Sequence, residues 1–216
     1  MRTASIIVIV LAAAFVGVLL FLPRSERPAA AGVGTTDAPS AKPEPIELAF
    51  VQGGTIAMDL EAANYRVIPS ADDHITISYR ADRSTTEPRI STGVNGSNAK
   101  LHVITPPGGN IHLEIGVPAK SNLFIRQSAG NLDLEGIEGS KDCELSAGNL
   151  TIDVVDANQY GPVDGSVSSG NLEASAWSVH KGGLLRSFST TGPGRYGLRA
   201  HVGAGNLTLT ERSGLE

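Results

Sequence analysis

Ser128-Ala129-Gly130-Asn131-Leu132-Asp133-Leu134 and Ser146-Ala147-Gly148-Asn149-Leu150-Thr151-Ile152 are the same phrase, written twice. It returns as Ser168-Ser169-Gly170-Asn171-Leu172, and in shorter form as Gly109-Asn110-Ile111 and Gly205-Asn206-Leu207. The successive glycines stand 21, 18, 22 and 35 residues apart, the last gap being long enough for two degenerate turns. Gly and Asn enter left-handed backbone space at least cost, so each pair marks a tight corner between two extended segments. A corner recurring about every twenty residues in a fixed residue order predicts a stacked β-solenoid. The alternative is a set of independent hairpin turns in an antiparallel sheet, which would not need the whole phrase to recur. If the corners stack at strand spacing, Asn110, Asn131, Asn149, Asn171 and Asn206 form an amide ladder along the axis.

Around these corners the chain alternates apolar and polar residues with period two. Ile56, Met58 and Leu60 alternate in this way, as do Ile111, Leu113 and Ile115. Leu123 and Ile125 follow, then Cys143 and Leu145, then Leu150, Ile152 and Val154. No window holds a helical period with caps. The fold expected is therefore all-β: a single-stranded, β-helix-like stack of short strands over residues 46–216, with the clear repeats in 108–210. Trp177, Phe188 and Tyr196 fall in an irregular stretch between the last two repeats and read as a cover for one end of the stack. Ile46 to about Arg89, which lacks the phrase, reads as the cap of the other end. The segment from Ala81 to Asn98 reads as a polar loop.

The first 22 residues are a different material. Ala4 to Leu22 is apolar or small apart from Ser5, long enough to cross the hydrocarbon of a bilayer. Arg24, Glu26 and Arg27 follow before any small-residue cleavage site, which favours an uncleaved transmembrane signal anchor over a cleaved signal peptide. Residues 23–45 hold Pro23, Pro28, Pro39, Pro43 and Pro45 among Ala, Gly, Ser and Thr, and read as a disordered tether. Basic residues flank the anchor on both sides, so orientation is set by the Thr, Ser, Gly and Asn-rich domain, which suits the extracytoplasmic side of a cell membrane.

An opening strand pair (Gly53-Gly54-Thr55-Ile56 to Arg66-Val67) is followed by a strand ending in proline (Leu113-Glu114-Ile115-Gly116-Val117-Pro118). Ser-Ala-Gly-Asn-Leu repeats separated by Gly136-Ile137-Glu138-Gly139 come next. This order of features resembles the bacterial "putative adhesin" domain family, membrane-tethered β-solenoids related to head-GIN and autotransporter-like adhesin domains. The likeness runs from about Ile46 to the end of the sequence. Members often carry an acidic residue where this chain has Asn after Gly. The resemblance implies a fold and an envelope location, and it brings no catalytic residue, metal ligand or cofactor with it.

Motifs for chemistry are sparse. Gly192-Pro193-Gly194-Arg195-Tyr196-Gly197 spells a dinucleotide-binding turn, but no helix follows it. Asp156-Ala157-Asn158-Gln159-Tyr160-Gly161 opens like a calcium loop, yet Tyr160 and Val167 stand where ligands belong, so it reads as a turn. Cys143, the single cysteine, alternates in phase with Leu145 and reads as a buried hydrophobe. The histidines stand at no metal-ligand spacing. Counted outward from the corners, Glu114, Asp133, Glu135, Asp153 and Glu173 would share one acidic face, read first as a solubilising face and second as a site for cations or a basic partner. A net charge of −5 speaks against nucleic-acid binding, which requires a basic groove.

The function these features lead us to expect is that of a non-enzymatic, membrane-anchored cell-envelope protein. Its repetitive surface would bind surface glycan or an envelope protein, with no cofactor and no metal. A regulatory or scaffolding ectodomain in envelope stress signalling is the alternative, and a polysaccharide-active enzyme comes third.

Overall fold

The computed structural model describes residues 44–81, 87–108 and 110–212. The anchor expected over 1–22, nearly all of the tether and Gly109 lie outside the described residues. No helix among the described residues is long and apolar enough to cross a membrane.

The described chain is all-β, with short 3-10 turns at Ala157–Gln159 and Ser175–Trp177. Four long strands carry the recurring phrase in their middle: β8 (Asn122–Glu135), β9 (Lys141–Val154), β10 (Tyr160–Ala174) and β12 (Tyr196–Glu211). In β9 the buried positions are Lys141, Cys143 and Leu145 before the corner and Leu150, Ile152 and Val154 after it. The alternation therefore changes phase at Gly148-Asn149, so that two arms of one strand face a common interior. Glycine makes this possible: Gly130, Gly148, Gly170 and Gly205 all take φ between +105° and +139°. They also lie directly over one another, and a Cβ on Gly148 would meet the Gly130 carbonyl oxygen at 1.8 Å.

These strands run parallel and in register, apart from one shift between Tyr160 and Val163 at the start of β10. Gly130 pairs with Gly148, Gly148 with Gly205, and Gly205 with Gly170; the asparagines beside them follow the same pattern. Chain order is not stack order, because β12 lies between β9 and β10. The same displacement occurs at the other end. β2 (Thr55–Leu60) pairs with the first arm of β8 and β3 (Asn64–Ser70) with its second arm. β6 (Asn98–Ile104) then lies on β2, and β7 (Ile111–Pro118) on β3. The pair formed by β2 and β3 is thus a rung of the stack, with Ala62-Ala63-Asn64 at the corner. Ala63 does not adopt the left-handed conformation of its glycine counterparts, and the strand is interrupted there.

Several expectations need correction. The region 46–89 does not simply cap the stack: β2 and β3 lie within it. Only β1 (Ile46–Ala49) and β4 (His74–Ala81) lie outside β7, both in antiparallel pairings. The expected polar loop over 81–98 contains β5 (Arg89–Asn95), antiparallel to β6, because Asn95-Gly96-Ser97-Asn98 closes a tight hairpin. The irregular stretch before the last repeat is β11 (Val179–Thr191), an antiparallel strand on β10. Its Phe188 joins Trp177, Tyr160 and Tyr196 in a chain of ring contacts with centroids 6.1 to 6.4 Å apart. These rings cover the end of a core built mainly from Leu, Ile and Val.

The core also contains a cation. Lys141 is 2% exposed, and its Nζ donates to the carbonyl oxygens of Ile137 (2.6 Å) and Gly139 (3.1 Å) and to the Tyr160 hydroxyl. No carboxylate is among these partners. Burial therefore pulls the Lys141 amine down to about 8. The neighbouring Cys143 thiol is pushed up to about 12, again by burial.

Candidate binding faces

The corner asparagines form one continuous chain of amides on the outside of the bend. Asn64 donates to Asn110 (3.2 Å), Asn131 to Asn64 (2.9 Å), Asn149 to Asn131 (2.9 Å), Asn206 to Asn149 (2.7 Å) and Asn171 to Asn206 (3.0 Å). Every bond points the same way along the stack. Asn64 is the member that sequence reasoning missed, because Ala63 precedes it where the phrase has Gly.

The outer face of the second arms carries the five expected acids, but basic residues interrupt them. Arg66 on β3 stands in register between Glu114 on β7 and Asp133 on β8. Its guanidinium grips Glu135 with two bonds of 2.7 and 2.9 Å and reaches Glu114 at 3.4 Å. The hydrogen bond from Arg66 holds the Glu135 carboxyl below the usual carboxylate range. Arg212 Nε lies 3.5 Å from Asp153, and His180 lies 3.7 Å from Glu173. Among the described residues no three His, Cys, Asp or Glu side chains are grouped to hold a metal ion.

The outer face of the first arms went unread in the sequence. Strand register aligns two rows across it. One runs Gly93, Lys100, Ala57, Phe124, Asp142, Arg199, Asp164; the other runs Ser91, His102, Asp59, Arg126, Glu144, His201, Ser166. The second row alternates His or Arg with Asp or Glu between its terminal serines, and its members pair: His102 with Asp59 at 3.1 Å and Arg126 with Glu144 at 3.1 Å. Arg126 also reaches across to Asp142 in the first row at 2.9 Å. Ser166 Oγ lies 2.8 Å from His201 Nδ1, while the carboxylate next in register, Glu144, is held by Arg126.

Phe124 breaks the polar character of this face. It projects outward between the buried Leu123 and Ile125 and is 46% exposed. On one side lies a groove of about 690 Å³ whose walls include Ala57, Gly93, Lys100 and His102. On the other is a smaller depression of about 210 Å³, bordered by Pro162, Gly197 and Arg199. Small residues beside Phe124 leave its ring open to a ligand lying across the strands. Lys100 forms no ion pair among the described residues, unlike Arg126. An aromatic in the outward phase of an alternating strand was the available sequence signal, since Leu123 and Ile125 fix the inward phase.

No family model matches the chain, and no curated protein matches it. Two solved structures are similar to it. A "putative cell adhesion protein" from Clostridium sporogenes ATCC 15579 aligns with 78% of this chain and 100% of its own length, at 10% identity and a TM-score of 0.48. A "putative lipid binding protein" from Parabacteroides distasonis ATCC 8503 aligns with 78% of this chain and 97% of its own length, at 12% identity and a TM-score of 0.25.

Proposed function

We propose that this chain is a non-enzymatic binding protein of the cell envelope, held at the membrane by residues 1–22 and displayed beyond it by the 23–45 tether. Its domain is a β-solenoid whose first-arm face binds an extended surface glycan. The observation that carries this reading is the solvent-exposed ring of Phe124 on the ridge between two grooves, with Lys100, which forms no ion pair among the described residues, beside it. A flat ring gives a sugar an apolar surface to stack on, and a few fixed polar groups around it set orientation. The ammonium of Lys100 favours a glycan carrying carboxylate or sulfate. Shallow sites of this kind bind weakly one at a time, and a polymer engaging several anchored copies gains strength by avidity.

A panel of neutral and acidic polysaccharides, titrated against the full chain by calorimetry, tests this. Phe124→Ala and Lys100→Ala should each weaken binding of the best ligand by about tenfold, or ~1.4 kcal/mol. Binding that is unchanged in both variants, or an entire panel left unbound, would remove the glycan reading.

A further inference from the structure

The last strand of the stack presents different chemistry. β11 pairs, among the described residues, only with β10, so one of its edges faces outward. Its register on β10 is unbroken: Val167 faces Arg186 and Ser169 faces Leu184, which puts Leu185 opposite Ser168 at the corner. Leu185 sits at φ +51°, a left-handed conformation that strains a residue bearing a side chain. At this corner Leu184 and Leu185 stand in solvent, 69% and 83% exposed, more than any other large apolar side chain described.

The charge around them is equally uneven. Lys181 and Arg186 bracket the leucines, and Gly182-Gly183 leaves the approach bare. From Ala174 to Thr210 the sequence has no Asp or Glu but holds Lys181, Arg186, Arg195 and Arg199, within a chain of net charge −5. Two acids on the facing strand β10 oppose β11: Glu173, paired with His180, and Asp164, opposite Ser189.

Flanking cations are ordinary protection for a free strand edge. They account for the charge, but exposed leucines at the crest work against that purpose. A second copy of the chain is a poor occupant, because a two-fold axis near Leu185 would bring Lys181 and Arg186 close to their own equivalents. An apolar tip ringed by cations matches the interface of a bilayer with negatively charged headgroups: the leucines reach the acyl boundary while the basic side chains meet phosphates. We propose that the Leu184–Leu185 corner of β11 is a membrane-contact tip that inserts both leucines into the interface of an anionic bilayer, with Lys181 and Arg186 on its headgroups. The site is remote from Phe124 in strand order and does not depend on the glycan reading.

The test uses the full chain with Leu185→Cys labelled by an environment-sensitive fluorophore; Cys143 is buried and stays unlabelled. The chain is reconstituted with phosphatidylcholine vesicles, with or without phosphatidylglycerol. The label should shift to the blue and brighten in the vesicles containing phosphatidylglycerol. Lys181→Gln with Arg186→Gln should lower the ratio of inserted to free tip by about thirty-fold. A label on Val94→Cys, at the opposite end of the stack, should report water throughout, so the readout is specific to the tip however residues 1–22 behave. No shift at position 185 would overturn the proposal, as would an equal shift at position 94. A shift that ignores both the anionic lipid and the two glutamines would do the same. A shift that follows protein concentration in detergent would assign the tip to a second copy instead.

Discussion

Lys141 stands in register between Leu123 and Leu198, in an inward column that is otherwise aliphatic. Its amine falls from an ordinary 10.5 to about 8 because burial penalises the charged form. Between those values the unfolded chain holds the proton more tightly than the folded one, so stability attributable to this group rises with pH. Cys143 acts in the opposite sense: its thiol ionises first in the unfolded chain, so its contribution falls as pH rises from about 9 towards 12. Comparison with Lys141→Met removes the burial effect on the cysteine, which both proteins share, and leaves only its charge coupling to Lys141. Urea unfolding should show the wild type gaining on the variant by up to about 3 kcal/mol between pH 7 and 10.5. Parallel stability curves would mean that the amine is not desolvated. At this scale, the sequence alternation placed position 141 inward, in phase with Cys143. What it could not supply was the means of burying a lysine there, because the carbonyls of Ile137 and Gly139 converge only in the folded turn.

At the scale of elements, β3 shows how a short strand can control a face. It brings Arg66 between β7 and β8, which carry Glu114, Asp133 and Glu135. Without that cation, carboxylates on neighbouring strands would repel. Arg66 and its partners are largely solvent-exposed, so Arg66→Gln should cost less than about 1 kcal/mol at neutral pH. The loss should shrink at high salt and disappear as pH falls below the carboxylate range. Glu135, whose carboxyl is held low, contributes stability above its unfolded value of 4.5 and loses it as pH falls through its folded one. Thermal melts at two salt concentrations and two pH values would check this, and a loss that persists at acid pH would assign Arg66 a packing role. The acids were legible because each sits at a fixed step from a Gly-Asn corner. Arg66 was not, because its corner reads Ala63-Asn64.

For the whole molecule, the decisive feature is that β12 lies between β9 and β10. In a stack that followed chain order, removing the last rung would cost one interface and leave the others intact. Here, ending the chain at Arg195 removes the strand that joins the β10–β11 end to β9. Trp177, the single tryptophan, packs at that end against Tyr160 and Phe188 and reports on it directly. The truncated chain should show Trp177 emission close to that of the unfolded protein. Native-like emission would mean that β10 can close onto β9 unaided.

The sequence by itself determined the all-β character, the inward and outward phase of most strands and the position of the repeated corners. These are local properties: alternation follows from the pleat, and Gly-Asn from the cost of left-handed backbone. Only the tertiary structure decided which rung lies on which, because parallel rungs with similar aliphatic columns and identical corners can pair in several orders. The choice is made by elements without the phrase, namely the split rung of β2 and β3 and the antiparallel strands β4, β5 and β11 at the ends. The Phe124 face and the leucine tip depend on the same choice. Phe124 gains its open ring because the small Ala57 lies beside it, and the leucines are exposed because β11 is the final strand.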